Sequence, residues 1–145
     1  LAMPILNETC DKLIKVTNDE RGDEDICSIP DGVTSIGKYA FRDCTSLISI
    51  IIPDSVTSIA DGAFMDCTSL KSITIPNSVT RIGQYAFYGC TSLISITITD
   101  SVTRIVTWAL KVCISLTSIT TSNSFTSIEV SQLESCTRLH TTHTS

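Results

Sequence analysis

The sequence predicts an α/β-type solenoid: a right-handed coil of stacked rungs, with a parallel β-sheet on one face and short strands, turns and helical or 3₁₀ turns on the other. Three observations predict it. A block of 23 residues recurs along the chain, apolar residues alternate with period two at one point of each block, and they fall at wider spacing at another. The 145 residues suffice for one domain with a real core, and 42% hydrophobic against 17% charged residues argues against wholesale disorder.

The repeat is read directly. Ile29-Pro30-Asp31-Gly32-Val33-Thr34-Ser35-Ile36 returns at 52–59, 75–82 and 98–105, with an eroded copy at 121–128. The second half of the unit keeps step: Ala-Phe at 40–41, 63–64 and 86–87, cysteine at 44, 67, 90, 113 and 136, and leucine at 47, 70, 93, 116 and 139. Isoleucine at 50, 73, 96 and 119 completes the pattern, with Thr142 at the end of that series.

Each element of a rung follows from its residues. In the second unit Leu47, Ile50 and Ile52 point inward and Ser49 and Ile51 outward, as a strand requires. Pro53-Asp54 then turns the chain, since proline fixes φ and a short polar side chain bonds nearby backbone. Val56 and Ile59 return inward. Ile59, Ala63, Phe64 and Cys67 follow at i, i+4, i+5 and i+8, a spacing that predicts a helical or 3₁₀ turn on the opposite side. A single rung cannot bury its apolar edge, whereas stacked rungs bury it against one another.

These columns divide the chain into an N-terminal flank over 1–28, five repeats over 29–143 with the last degenerate, and a tail at 144–145. The flank holds seven acids against three bases and so carries most of the net charge of −5. Within it, Cys10-x-x-Leu13-x-x-Val16 matches Cys44-x-x-Leu47-x-x-Ile50 and reads as a partial rung over 10–16, followed by a solvated acidic bulge at 18–25.

The unit I-P-x-S-V-T-x-I-G-x-x-A-F-x-x-C resembles the BspA-like class of leucine-rich repeats, over residues 29–143 and partially over 10–16. The resemblance implies a surface antigen or adhesin of a bacterium or single-celled eukaryote. It further implies a cell-surface or extracellular location, and a host, matrix or neighbouring-cell protein as partner.

The recurring columns hold the residue types that could carry chemistry. Six of the seven cysteines share one column, and Cys27 aligns with the inward isoleucine of the strand. In-phase thiols have no preferred pairing, so they read as small buried hydrophobes. Cys136-x-x-x-His140-x-x-His143 has the outline of zinc-ligand spacing, but residues three apart in a strand face opposite sides, and a decayed last rung explains it better. Asp31, Asp54, Asn77, Asp100 and Asn123 form a column at the strand exit that suits turns better than calcium. Arg81 and Arg104 read as a solvated pair that could hold an anion, and Trp108 as convex-side packing. Asn7-Glu8-Thr9 is a glycosylation sequon. No catalytic, cofactor-binding or metal residue is expected, and therefore no cofactor and no enzyme. An acidic balance argues against nucleic acid, and the longest apolar stretch, 47–52, is too short to cross a bilayer. Residues 1–6 lack the basic start and extended apolar run of a signal peptide, and a chain opening on Leu1 leaves room for a removed leader or upstream domain.

What remains variable is the outward sheet face: Ile48, Lys71, Ile94 and Thr117 at the strand entrance, then Ser49, Ser72, Ser95 and Ser118, then Ile51, Thr74, Thr97 and Thr120. Continued by the same 23-residue step, these columns take in His140, Thr141 and His143. The face is nearly uncharged and regular. It is poor material for a unique catalytic constellation and good material for an extended contact surface. The expectation is a non-catalytic protein-interaction or adhesion module. The alternatives are an architectural spacer within a longer array, or a Ser/Thr array that binds glycan or ice.

Overall fold

The computed structural model of the chain describes residues 3–6, 12–17, 26–99, 101–102, 108–122 and 140–144. It is a parallel-strand solenoid of about four turns with the leucine-rich repeat fold. Among the described residues eleven short strands lie in two sheets, and each rung through the middle of the chain gives one strand to each sheet. The larger sheet holds β3 (Ile26–Ser28), β5 (Ser49–Ile51), β7 (Ser72–Thr74), β9 (Ser95–Thr97), β10 (Ser118–Ser122) and β11 (His140–Thr144), all parallel. The smaller holds β4 (Ser35–Ile36), β6 (Ser58–Ile59) and β8 (Arg81–Ile82), preceded by a hairpin of β1 (Met3–Leu6) and β2 (Lys12–Thr17).

The predicted stacking is realised residue for residue through the middle of the chain. Ser72, Ile73 and Thr74 pair with Ser95, Ile96 and Thr97, which pair with Ser118, Ile119 and Thr120. The interior is filled by the inward columns: Leu47, Leu70, Leu93 and Leu116; Ile50, Ile73, Ile96 and Ile119; Val33, Val56, Val79 and Val102. Phe41, Phe64 and Phe87 form a stack of near-parallel rings, with centroids 4.9 and 5.2 Å apart, and Leu110 takes the next place in the column. That spacing approximates the ~4.8 Å between neighbouring strands, so the sheet pitch itself delivers offset stacking.

The Pro-x-Ser-Val-Thr turn is explained by its bonds. Val56 N–H donates to Pro53 O and Val79 N–H to Pro76 O, closing the turn within a rung. Ser55 Oγ donates to Val33 O (2.8 Å), Thr57 Oγ1 to Thr34 O (3.1 Å) and Thr80 Oγ1 to Thr57 O (3.4 Å), stitching each rung to the one before. These hydroxyls serve the stack and are not spare for a ligand.

The convex side departs from expectation. No helix occurs among the described residues, and 60–70 is a chain of turns. The physical reason is that alternate amides leave the rung. Ala63, Met65 and Cys67 donate to the carbonyls three residues back, whereas Gly62, Phe64 and Asp66 donate to Gln84, Ala86 and Tyr88 of the next rung. A helix would need every amide for itself. Left-handed backbone recurs at two places in the described rungs: Tyr39, Gly62, Tyr85 and Trp108, then Asp43, Asp66, Gly89 and Val112. Two such residues per turn interrupt any right-handed helix.

Both ends also differ in register. Leu13 pairs with Ile36 in the smaller sheet, 23 residues on, and does not occupy the Leu47 column that the Cys10-x-x-Leu13-x-x-Val16 match suggested. An apolar-x-x-apolar spacing is common to both columns, so the short match could not distinguish them. At the other end, Ser118 pairs with His140 and Ile119 with Thr141, a step of 22. The 23-residue extrapolation that set Thr141 beside Ser118 and His143 beside Thr120 is therefore off by one residue, a slip that exchanges the two faces of a strand. The acidic bulge at 18–25, the sequon, Cys10, Asp100, Arg104, most of the eroded copy and Cys136 lie outside the described residues, as do the side chains of His140 and His143.

Candidate functional site

The outward columns of the larger sheet come together as one strip. Ser49, Ser72, Ser95 and Ser118 are register partners in a row, as are Thr74, Thr97 and Thr120. Backbone amides of Lys71, Ile94 and Thr117 donate to the carbonyls of Ile48, Lys71 and Ile94, so the strand entrance is tied into a third row. Alternation along each strand places the apolar side chains inside and leaves Ile51 57% and Ile94 49% exposed, with Lys71 and Thr74 also open to solvent. Thr117 Oγ1 donates to Ile94 O at 3.1 Å, so this hydroxyl is committed to the stack. The serine and threonine rows and Ile51 project from β5, β7, β9 and β10, each of which is paired on both sides.

At the strand exit a shallow groove of about 410 Å³ opens beside this strip. It is lined by Ile50, Ile51, Ile52, Ile75, Pro76, Thr74, Thr99, Asp54 and Asn77. Its floor is apolar and its rim carries one carboxylate and one amide. The repeat pattern does not point to it, because Asp54 and Asn77 belong to a column that suits turns better than calcium. The available signal was Ile51, an isoleucine in a column that holds Ser28 before it and Thr74, Thr97 and Thr120 after it, three residues from an acid.

The other predicted candidates are placed as follows. Cys27, Cys44, Cys67, Cys90 and Cys113 are buried and carry no disulfide. Cys67, Cys90 and Cys113 each donate a thiol hydrogen bond of 3.1 Å to the phenylalanine carbonyl of the preceding rung: Phe41, Phe64 and Phe87. Burial pushes the Cys44 thiol up to about 11, helped by Cys27 and Asp43 nearby, and raises Cys67 and Cys90 further. Such thiols are poor nucleophiles and poor metal ligands. Among the described residues no three His, Cys, Asp or Glu side chains converge on a point that could hold a metal.

Arg81 is exposed on the smaller sheet, where it shares a groove of about 150 Å³ with Lys38, Ser58 and Asp61. Asp61 Oδ1 accepts from Gln84 N–H at 2.8 Å and is built into the turn. Trp108 is 37% exposed, edge-on to Tyr85 at 5.3 Å, and lies beneath the Lys111 ammonium at 4.5 Å, so it packs along the convex side. No helix among the described residues is long and apolar enough to cross a membrane.

Comparison with known proteins agrees with this architecture. The BspA type leucine rich repeat region matches residues 25–143 in six copies. A leucine rich cell surface protein from Faecalibacterium prausnitzii is 33% identical, with a TM-score of 0.88 over 99% of this chain and 38% of that one. A leucine-rich repeat protein from Eubacterium ventriosum is 25% identical (TM-score 0.80), over 98% of this chain and again 38% of the other. The T. pallidum leucine rich repeat protein shares the fold at 24% identity, with a TM-score of 0.67 over 97% and 78% of the two chains. The chain thus spans well under half the length of the first two structures. No curated protein sequence gives a significant match.

Proposed function

Since the chain belongs to the BspA-type leucine-rich repeat family, we propose that it is a non-catalytic protein-interaction or adhesion module, part of a cell-surface protein. Its working surface is the strip of Ile48, Ser49, Ile51, Lys71, Ser72, Thr74, Ile94, Ser95, Thr97, Thr117, Ser118 and Thr120. The observation that carries the reading is that an unbroken parallel sheet exposes two large aliphatic side chains and one ammonium among hydroxyls, with the interior fully occupied. Exposed aliphatic anchors ringed by small polar groups are the raw material of a protein interface, whereas no convergent acid–base pair lines the strip. The partner is a host, matrix or neighbouring-cell protein. Nucleic acid and direct membrane insertion are not part of this reading.

The test is saturable binding of the chain to immobilised matrix or cell-surface protein. The triple substitution Ile48→Ser, Lys71→Ser and Ile94→Ser abolishes it while the circular dichroism spectrum stays unchanged. A second reading, a spacer within a longer repeat array, is favoured by the 38% coverage of the two bacterial structures. In that case the triple substitution is silent and no partner saturates.

A further inference from the structure

We infer that the groove at the strand exit is a docking site for an extended protein segment that carries an aliphatic side chain next to a lysine or arginine. The inference rests on the interaction reading above and deepens it by stating the partner's chemistry. The groove crosses three successive rungs, contributed by residues 50–54, 74–77 and 99. Three rungs span about 10 Å, the length of roughly three extended residues. A segment of about this length laid along the stack seats one side chain over the floor, and the long flexible stem of a neighbouring lysine or arginine reaches the rim.

The chemistry of the lining selects the segment. Ile50, Ile52, Ile75 and Pro76 are themselves buried, so the floor is a fixed apolar surface. Ile51, more than half exposed, forms one wall. One aliphatic side chain seated there removes both surfaces from water. Asp54 is exposed at the rim, no cation lines the groove, and no ion pair of Asp54 occurs among the described residues. Asp31, also exposed, stands one repeat earlier in the same column. The rim therefore complements a cation on the incoming segment and repels an acid. The Thr99 hydroxyl donates to Pro76 O and contacts Ser101 Oγ, which fixes the far edge of the groove.

The repeat itself supplies variants that should fold. Threonine occupies the Ile51 column at 74, 97 and 120, and asparagine occupies the Asp54 column at 77, so Ile51→Thr and Asp54→Asn install residues the rungs already carry. The experiment is an NMR titration of the ¹⁵N-labelled chain with the blocked hexapeptide Gly-Ser-Leu-Lys-Ser-Gly up to millimolar concentration. The reference peptides are Gly-Ser-Leu-Glu-Ser-Gly and Gly-Ser-Ala-Lys-Ser-Gly. Expected are saturable shifts centred on the amides of 51–54 and 74–77. Affinity should weaken about fivefold or more for either reference peptide and for Ile51→Thr, and about twofold for Asp54→Asn. Absence of saturable shifts overturns the inference, as does equal binding of the three peptides or indifference to both substitutions. Shifts centred instead on 48, 71 and 94 also overturn the groove while leaving the sheet-face reading intact, because the triple substitution reads those residues separately.

Discussion

Phe64→Ala probes the stack at its centre. Phe64 is fully buried and lies between two near-parallel rings, at 4.9 Å from Phe41 and 5.2 Å from Phe87. Deleting a buried phenylalanine down to alanine costs about 3–5 kcal/mol through lost transfer energy and the cavity left behind. Each aromatic pair adds about 0.5–1.5 kcal/mol beyond its area, and Phe64 takes part in two such pairs where Phe41 and Phe87 each take part in one. Phe64→Ala should therefore exceed Phe87→Ala by roughly 1 kcal/mol. Phe64→Leu, which installs the residue found at 110 in the same column, should cost only about 1–2 kcal/mol. Urea denaturation followed by circular dichroism gives all three values at constant m. A Phe64→Ala cost below about 2 kcal/mol, or one no larger than that of Phe87→Ala, would refute the ladder argument.

Other expectations follow from the convex turns and the thiols. Gly62→Ala places a methyl group against the Tyr39 ring at a residue with φ of 63°, and should cost about 1–2 kcal/mol. In a Tyr39→Ala background the cost should shrink to the backbone part alone, which a double-mutant cycle measures. The buried thiols are protonated in the folded state and ionise near 8.5–9 once unfolded. Their stabilising effect is therefore full below about pH 8 and is lost as the pH climbs through 9 toward the folded value of about 11 for Cys44. Chemical denaturation across pH 8–10.5 should show a decline that is shallower in Cys44→Ala; an unchanged slope would contradict the assignment. Native thiols should resist a disulfide-exchange reagent at pH 8 until denaturant is added, and rapid labelling of Cys67 or Cys90 in the folded chain would count against their burial.

The interior was legible because two periodicities agree. A period of two along Leu47–Ile52 and a period of 23 along the chain both place Ile50, Ile73, Ile96 and Ile119 inside, and the structure buries all four. The convex path was not legible, because apolar residues at 59, 63, 64 and 67 suit a helix and a chain of turns equally. Gly62 and Gly89, one in each left-handed column, were the only local hint, and Tyr39, Tyr85 and Trp108 in the same column concealed it. Cysteine was legible as a small hydrophobe but not as the donor to the phenylalanine carbonyl one rung back, a contact created only by stacking. The slip of register before β11 had no signature, since Thr141 and Thr142 offer identical chemistry to the column. As for the candidate site, the exposed columns could be named from alternation, but the groove depends on how Ile51, Asp54 and Pro76 meet across rungs.

The most direct measurement removes one rung. Deleting residues 60–82 takes out 23 residues and joins Ile59 to Gly83, so every inward column closes on its next member. The shortened chain should keep a β-rich spectrum and a cooperative melt at somewhat lower temperature, while deletion of 60–81, one residue fewer, should turn the following apolar side chains out of phase and unfold. Equal behaviour of the two deletions would contradict the account.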